Sequence, residues 1–186
     1  DLHRLIRRQR QMCIRDSASC IGLPFWCNAR IDLLDKISLN LLKKAGCFRI
    51  HLGIECGNEE LRKRVLGKGI SNYEILEKVR MIKDSGIKVV TSFMMGLPGE
   101  KEENIRESVE LCKKIRPAWV LRSLFCPYPG TELYQELVRK RTIAPDFYVR
   151  LSTDSFFSPV SALPSPHLSP EKLKYYYENF IKLCAL

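Results

Sequence analysis

Residues 85–100 read SGIKVVTSFMMGLPGE, and this stretch decides the fold. Gly86 ends a helical repeat as a left-handed stop, and residues 87–95 form the β-branched run of a buried parallel strand. A loop rich in glycine and proline follows the strand. Residues 45–60, AGCFRIHLGIECGNEE, repeat this order, with Gly46 lying forty positions before Gly86. The repeat of helix, glycine, strand and loop predicts crossover connections between parallel strands.

The flanking segments carry the periodicity that such a fold requires. Apolar residues recur at helical spacing in three segments before the tail: Leu33, Leu34, Ile37, Leu41, Leu42 and Ala45; Ile75, Leu76, Val79 and Ile82; Ile105, Val109, Cys112 and Ile115. Ser71 and Glu74 have the spacing of a capping box at the start of the second helix. Strand-like runs cover residues 25–27, 47–54, 87–95 and 118–126. We therefore predict an α/β fold in which helices cover a parallel sheet of four strands.

The number of repeats bears on whether this sheet closes. An eight-stranded (β/α) barrel needs about 250 residues, and this chain of 186 residues supplies roughly half of its strands. A parallel sheet that starts abruptly would leave the edge of its first strand unpaired. We therefore expect a partial barrel that contains only the C-terminal strands, and we interpret the chain as a fragment of a longer protein.

We expect the two ends of the chain to lie outside this core. Residues 1–20 form an arginine-rich leader that resembles a translated adapter remnant and carries no structural weight. The core then spans residues 21–140. Residues 141–186 are predicted to form an irregular wrapping segment and a helix that starts at Pro170. The apolar stripe of that helix comprises Leu173, Tyr176, Tyr177, Phe180, Ile181 and Cys184.

Composition excludes several classes of protein. Hydrophobic residues make up 45% of the chain and charged residues 28%, as in globular proteins that bury a core. No apolar run approaches the roughly 18 residues that a membrane span needs. The net charge of +10 is scattered over helix ends and faces rather than gathered into a basic stripe with interleaved aromatic residues. Nucleic-acid binding is therefore disfavoured.

The eight cysteines invite a disulfide or a metal interpretation. Nothing resembles a secretory signal, so reduced thiols in a cytoplasmic protein are the simpler interpretation. Cys13, Cys20 and Cys27 are spaced by seven, but zinc and cluster ligands usually include a tight C-x2-C pair, and the sequence has none. We predict unrelated buried thiols and no metal ligands.

Polar, glycine and proline residues follow the predicted strands. In parallel α/β folds the ligand binds beyond the carboxyl ends of the strands. Glu55 follows the second strand, and its carboxylate could accept hydrogen bonds from a ribose diol or simply favour the N-terminus of the next helix. The GLPGE loop offers backbone amides and carbonyls that suit the edge of a flat purine. Lys68, between Gly67 and Gly69, could meet a carboxylate or remain a solvated lysine.

Four motifs in order resemble the second half of a radical S-adenosylmethionine (radical SAM) core domain. They are LPFWCNARID (23–32), AGCFRIHLGIECGNEELRKRVLGKGIS (45–71), SGIKVVTSFMMGLPGE (85–100) and CPYPGTELY (126–134). The subgroup that they most resemble is the cobalamin-associated radical enzymes, which include anaerobic methyltransferases and ring cyclases. SPHLSPEKL (165–173) resembles the C-terminal extension of that subgroup. The resemblance implies the last part of a six-stranded, TIM-like partial (β/α) barrel.

The resemblance also implies roles for individual residues. Glu55 matches the position that contacts the ribose of S-adenosylmethionine, and Lys68 falls near a basic position that meets the methionine carboxylate. Arg30 matches an arginine after the third strand of the family, where it contacts substrate or cofactor. No catalytic residue is identified.

Two further segments would surround the adenine in this resemblance. Gly96, Leu97 and Pro98 match the loop near the adenine and the sulfonium. Pro127 and Tyr128 match the segment that lines the adenine. The cofactor implied by all these positions is S-adenosylmethionine.

The chemistry that the resemblance implies is one-electron chemistry. A reduced 4Fe–4S cluster cleaves S-adenosylmethionine, and the resulting 5′-deoxyadenosyl radical abstracts hydrogen from a small-molecule substrate. An electron donor such as flavodoxin or ferredoxin would be a partner. The family's C-x3-C-x2-C cluster motif and its Gly-Gly-Glu motif are missing from this sequence, and a cobalamin-binding domain would lie upstream. We therefore expect this chain alone to bind no cluster and to be inactive.

Two other interpretations stay open. A radical methylthiotransferase acting on tRNA or protein has similar loops, and the upstream sequence would distinguish it. A basic βα module that binds RNA would show an affinity that falls with salt. The strand ends carry few stacking aromatic residues apart from Tyr128, which argues against the second interpretation.

Overall fold

A computed structural model describes residues 16, 19–20, 22–150 and 163–184 of the chain. Four strands form one sheet in the order β1-β2-β3-β4: β1 (Phe25–Ala29), β2 (Cys47–Glu55), β3 (Lys88–Met95) and β4 (Trp119–Leu124). β1 and β2 pair in parallel, with Cys27 opposite Ile50 and Ala29 opposite Leu52. The predicted α/β fold with four parallel strands is confirmed.

Helices connect the strands and follow the last one. They are α1 (Lys36–Lys44), α2 (Glu59–Leu66), α3 (Asn72–Asp84), α4 (Glu102–Ile115), α5 (Glu132–Arg139), α6 (Phe147–Arg150) and α7 (Pro170–Cys184), with a 3-10 helix at Ile31–Leu33. The amphipathic helices predicted from periodicity correspond to α1, α3, α4 and α7. α1 begins after Leu34 because the Asp35 carboxylate caps it, accepting a hydrogen bond from the amide of Ser38 at 2.7 Å.

The described residues form two compact units. The first comprises the described residues up to Gly53, together with Ser71–Thr91 and Pro117–Val120. The second comprises Ile54–Ile70, Ser92–Arg116 and the described residues from Leu121 onwards. All the candidate site residues except Arg30 belong to the second unit.

Left-handed stops and caps define the helices of the first unit. Gly46 and Gly86 have φ values of 94° and 73°, which confirms the predicted stops. The ammonium of Lys43 donates a hydrogen bond to the carbonyl of Gly86 at 2.7 Å. The predicted capping box is present, because the Ser71 hydroxyl accepts from the Glu74 amide and the Glu74 carboxylate accepts from the Ser71 amide.

Two buried clusters hold the second unit together. α4 packs against α7, and the buried rings of Phe93 and Phe180 lie 5.3 Å apart. The Glu102 carboxylate on α4 accepts hydrogen bonds from Arg106, Lys172 and Tyr176. A second apolar cluster contains Cys56, Leu61, Leu97, Phe125, Tyr134, Leu137, Ile143 and Leu163. This second cluster includes residues that lie one or two positions after the ends of β2, β3 and β4.

Two helices of eight residues each, α2 and α5, were not predicted. Each is only about two turns long, which is too short for a clear periodic signal. Both begin with a side-chain cap: Asn58 accepts from the amide of Leu61 at 2.8 Å, and Thr131 accepts from the amide of Tyr134 at 3.2 Å. Local capping and tertiary packing therefore define these helices more than sequence periodicity does.

The ends of the chain are described only in part. Most of the predicted leader (residues 1–15, 17 and 18) and residues 151–162 of the predicted wrapping segment lie outside the described residues. Within the described residues, none of the helices is long and apolar enough to cross a membrane. The seven cysteines in the described part of the chain are free thiols.

Candidate functional site

Glu55 ends β2 in a strained turn. The amide of Cys56 donates to the carbonyl of Ile54 at 2.9 Å, which closes a three-residue turn with Glu55 at its centre. The φ of Glu55 is 72°, a value that costs a residue with a side chain about 1–3 kcal/mol. The Glu55 side chain is only 17% exposed. Strained backbone at a strand end is typical of a functional position.

Lys68 contacts Glu55 although it lies thirteen positions later in the chain. Its Nζ donates a hydrogen bond to Oε1 of Glu55 at 3.2 Å. Gly67, with a φ of 64°, ends α2 and turns the chain so that Lys68 returns to the end of β2. Sequence reasoning left Lys68 open between a contact with a carboxylate and a solvated side chain, and the structure shows a contact with the Glu55 carboxylate.

Arg62 on α2 is a buried cation that sequence reasoning missed. Its Nη1 donates to the carbonyl of Cys56 at 2.6 Å, and its Nη2 donates to the carbonyl of Ile70 at 2.6 Å. Cys56 directly follows Glu55, and Ile70 lies two residues after Lys68. One guanidinium therefore holds the two segments that carry the ion pair. In the sequence Arg62 belongs to a basic run that resembles a solvated helix face, and only its place beside the apolar Leu61 hinted at burial.

Gly57 allows α4 to approach the end of β2. A Cβ atom on Gly57 would lie 2.4 Å from the carbonyl oxygen of Glu107 and from the backbone of Ser108. The amide of Gly57 donates to the Ser108 hydroxyl at 2.7 Å, and the Asn58 side chain donates to the Glu107 carboxylate at 2.8 Å. This close approach of two backbones requires glycine and fixes the segment that follows Glu55.

The loop after β3 is organised by Glu100. Oε2 of Glu100 accepts hydrogen bonds from the amides of Gly96 at 2.6 Å and Leu97 at 3.2 Å, and the Glu100 amide donates to the Leu97 carbonyl at 2.9 Å. The GLPGE loop is predicted to offer its backbone amides and carbonyls to a ligand, but the Glu100 carboxylate already binds the amides of Gly96 and Leu97. Both residues are buried, and their amides bind a carboxylate of the same loop.

Glu100 itself is a further residue that sequence reasoning missed. It is fully buried, and burial raises the pKa of its carboxyl to about 7. Its Oε1 has no hydrogen-bond partner among the described residues. Pro98 is half-buried and Gly99 is exposed, so the tip of the loop is the part that a ligand can reach.

Pro127 and Tyr128 follow β4 and differ in exposure. The amide of Phe125 donates to the carbonyl of Met95 at 2.8 Å, which ties the end of β4 to the end of β3. Pro127 is buried, whereas the Tyr128 side chain is 57% exposed. The Tyr128 ring lies 6.1 Å from the ring of Tyr148. An exposed flat ring at a strand end can stack on a planar ligand.

Arg30 stands apart from the other candidates. It lies in the first unit, is exposed, and its guanidinium binds both carboxylate oxygens of Asp32, at 3.2 Å and 2.8 Å. No group of three or more histidine, cysteine, aspartate or glutamate side chains that could hold a metal occurs among the described residues.

A family model identifies the class of protein. The model of the radical SAM superfamily matches residues 27–112, a range that contains Glu55, Lys68 and the loop after β3. The predicted resemblance to the radical SAM superfamily is confirmed over this part of the chain.

Three curated relatives are similar in sequence to part of this chain. An uncharacterized methyltransferase of Pyrococcus horikoshii is 23% identical over 129 residues, which are 69% of this chain and 28% of the relative. The anaerobic magnesium-protoporphyrin IX monomethyl ester cyclase of Rubrivivax gelatinosus is 28% identical over 63% of this chain and 21% of the relative. The tRNA-2-methylthio-N(6)-dimethylallyladenosine synthase of Pelobacter propionicus is 32% identical over 50% of this chain and 22% of the relative. The chain thus spans less than a third of each relative's length.

Solved structures share the fold. The radical S-adenosylmethionine methyltransferase TsrM from Kitasatospora setae, solved with cobalamin and a 4Fe–4S cluster, superposes with a TM-score of 0.62 at 20% identity, covering 70% of this chain and 27% of TsrM. Coproporphyrinogen III oxidase from Escherichia coli superposes with a TM-score of 0.59 at 16% identity, covering 86% of this chain and 32% of the oxidase. The predicted partial, TIM-like (β/α) barrel is confirmed by these likenesses.

Proposed function

We propose that this chain forms the S-adenosylmethionine-binding side of a radical SAM enzyme. The observation that carries the proposal is the Glu55 carboxylate, held in a strained turn 3.2 Å from Lys68 at the end of β2. The alternative role for Glu55, at the N-terminus of α2, is filled by other residues. Asn58 caps that helix, and the acids of its first turn are Glu59 and Glu60. Glu55 is therefore available for a ligand.

The Glu55 carboxylate suits a ribose diol. Each carboxylate oxygen can accept a hydrogen bond from one hydroxyl, and a charged acceptor makes such bonds about twice as strong as neutral ones. The backbone turn and the Lys68 contact fix the direction of the carboxylate before a ligand arrives, which lowers the entropic cost of binding. The Lys68 ammonium has three donors, so it can contact Glu55 and also meet the methionine carboxylate.

The adenine side of the site would come from the ends of β3 and β4. The Glu100 contacts fix the loop so that Pro98 and Gly99 stand at its tip. The exposed ring of Tyr128 offers a stacking surface, and Pro127 supports the chain next to it. We propose that this loop recognises adenine through its carbonyls and apolar surface and not through the amides of Gly96 and Leu97.

The residues present do not fit a 4Fe–4S cluster. The sequence contains no C-x3-C-x2-C motif, and the described residues contain no group of three metal-ligating side chains. A reduced cluster, if supplied from outside this chain, would add the one-electron chemistry of S-adenosylmethionine cleavage. We propose that the chain alone binds S-adenosylmethionine but holds no cluster and performs no cleavage.

The reaction of the full enzyme is proposed to be cobalamin-associated methyl transfer or cyclisation of a small molecule. This proposal is supported by the methyltransferase and cyclase relatives and by the cobalamin in the TsrM structure. A cytoplasmic enzyme that receives electrons from flavodoxin or ferredoxin would fit it. Arg30 would then contact substrate or cofactor on the first unit.

A methylthiotransferase acting on tRNA is the second candidate, because a relative that is 32% identical carries that chemistry in its name. The two candidates differ in substrate size. A tRNA substrate predicts binding of the matching anticodon stem-loop that weakens with salt, whereas a small-molecule substrate predicts no such binding.

Calorimetric titration of S-adenosylmethionine into the full chain tests the proposed function. We expect binding by the unmodified chain, an affinity at least about tenfold lower in Glu55→Gln, and no change in Glu60→Gln. Glu60 is the matched control because it is an exposed glutamate on α2, five positions away. Equal affinity in all three proteins, or no binding by the unmodified chain, would contradict the proposal.

A further inference from the structure

Two cysteines of the first unit bring their sulfur atoms together. Cys27 on β1 and Cys47 on β2 have their Sγ atoms 4.0 Å apart, although they lie twenty positions apart in the sequence. Cys47 is buried, and Cys27 is half-buried on the outer strand of the described sheet. Neither sulfur is used by the proposed cofactor site, so a role for this pair of cysteines is independent of the proposed function.

Strand pairing fixes the position of both sulfurs. The register between β1 and β2 shifts between Phe25 and Trp26. This shift places Cys47 on the same buried face of β2 as Ile50, and Ile50 lies opposite Cys27. The two side chains therefore meet on one face although they are not directly paired. A site built on paired strands is held more rigidly than one built on loops.

The surroundings favour loss of a proton from this pair. A hydrogen bond from the Cys27 thiol and the nearby Lys43 ammonium lower the pKa of Cys47 to about 7. The pKa of Cys27 is raised, because its proton is held in that hydrogen bond and because it is partly buried. The thiolate is the form in which cysteine binds metals.

We propose that Cys27 and Cys47 form a two-sulfur site for a soft thiophilic centre, of the class of Cu(I) and trivalent arsenic. Two metal–thiolate bonds of about 2.3 Å each can span up to about 4.6 Å, so both sulfurs, 4.0 Å apart, lie within reach of one centre. The observed separation therefore accommodates a bridging centre without movement of the strands. Soft thiolate ligands select soft ions of this kind.

The same geometry argues against two other uses of the pair. A disulfide would require the sulfurs to approach to about 2.05 Å, roughly 2 Å closer than they lie. A structural zinc ion takes four ligands, and no group of three metal-ligating side chains occurs in the part of the chain that the structure describes. The geometry therefore fits a centre that binds only two sulfur ligands.

Phenylarsine oxide, a trivalent arsenical, tests the site in the full reduced chain. Two S–H bonds and one As–O double bond are replaced by two As–S bonds and one water, and no atom changes oxidation state. Intact mass gives the number of adducts, and loss of reactive thiols gives the number of sulfurs that each adduct uses. We expect a saturable adduct that consumes two thiols, with half-saturation shifted at least about tenfold upward in Cys27→Ser and in Cys47→Ser.

Matched variants make the result specific. Cys126→Ser removes a half-buried cysteine outside the pair and should keep the adduct. Thermal unfolding of each variant, and a second pair of variants with alanine in place of serine, separate loss of the site from loss of the fold. The proposal is overturned if folded Cys27 and Cys47 variants take up the arsenical as the unmodified chain does, or if that chain forms no two-thiol adduct.

Discussion

The Lys68 ammonium lies 3.2 Å from the Glu55 carboxylate, and a single buried guanidinium, that of Arg62, binds a carbonyl beside each of them. The ion pair is partly exposed, so its own contribution to the free energy of unfolding is small. Its geometry depends on the backbone that Arg62 holds. The site therefore depends on a residue that contacts neither the diol nor the carboxylate of the proposed ligand.

Arg62→Met is expected to destabilise the chain. The substitution leaves the carbonyls of Cys56 and Ile70 buried without these donors, so the free energy of unfolding should fall by about 3 kcal/mol. Urea unfolding measures this loss. Arg64→Met, an exposed position on the same helix, should change the free energy by less than about 0.5 kcal/mol. Similar losses in both variants would show that the buried hydrogen bonds of Arg62 contribute no more to the free energy of unfolding than the exposed side chain of Arg64 does.

Gly57→Ala is expected to disrupt the end of β2. The added Cβ would stand 2.4 Å from the backbone of α4, so strands and helix must separate at a cost of about 3 kcal/mol. Gly69→Ala is the matched control, because no atom lies within 4 Å of its Cβ position and its φ is not in the left-handed region. It should be neutral or stabilise the chain by up to about 1 kcal/mol. Thermal unfolding of the two variants distinguishes these outcomes, and equal midpoints would contradict the close packing.

Glu55→Gly should separate stability from ligand binding. Glycine removes the strain of a φ of 72°, but it also adds freedom to the unfolded chain, so we expect a net gain of about 1 kcal/mol. Arg116→Gly, at the left-handed end of α4 with a φ of 47°, should gain a similar amount. Only Glu55→Gly should also lose S-adenosylmethionine binding. A stability loss in Glu55→Gly with a gain in Arg116→Gly would mean that Glu55 is not strained.

Glu100 predicts a specific dependence of stability on pH. Burial raises its pKa from the ordinary 4.5 to about 7 in the folded chain, so the folded state binds a proton more tightly than the unfolded state. The stability that this proton provides is present below pH 4.5 and is lost as the pH rises through about 7. The shift corresponds to about 3 kcal/mol at most.

Urea unfolding of the unmodified chain and of Glu100→Gln across this pH range measures the effect. Glutamine keeps an acceptor for the Gly96 and Leu97 amides but cannot ionise. The stability of the unmodified chain relative to Glu100→Gln should therefore fall between pH 4.5 and about 7. A relative stability that rises with pH would show that Glu100 is ionised at low pH in the folded chain.

The parts of the fold that could be predicted are those set by local sequence. Gly46 and Gly86 end helices by their own conformational freedom, and the buried strand after Gly86 is a β-branched run that few other structures accommodate. Glu55 and Lys68 could be selected as site residues because strand ends and glycine-flanked loops have recognisable sequences. Their mutual contact could not, because it depends on where α2 carries the chain.

The residues that sequence reasoning misjudged are those whose role depends on tertiary structure. In the sequence Arg62 cannot be distinguished from Arg64, which is exposed. Only the packing of α2 against the backbone that follows β2 buries Arg62. The GLPGE loop resembles an open binding loop, but Glu100 folds back onto its first two amides. In both cases a charged side chain that composition assigns to solvent is buried because backbone groups bind it.

The central claim is that Glu55 binds the ribose diol of S-adenosylmethionine. It is tested most directly by a thermodynamic cycle that combines a protein variant lacking the carboxylate with a ligand lacking the diol. Affinities of adenosine and 2′,3′-dideoxyadenosine are measured with the unmodified chain and with Glu55→Ala, each confirmed as folded by circular dichroism. We predict that removing both hydroxyls weakens binding at least about tenfold in the unmodified chain and less than about twofold in Glu55→Ala. Equal losses in the two proteins would contradict the claim.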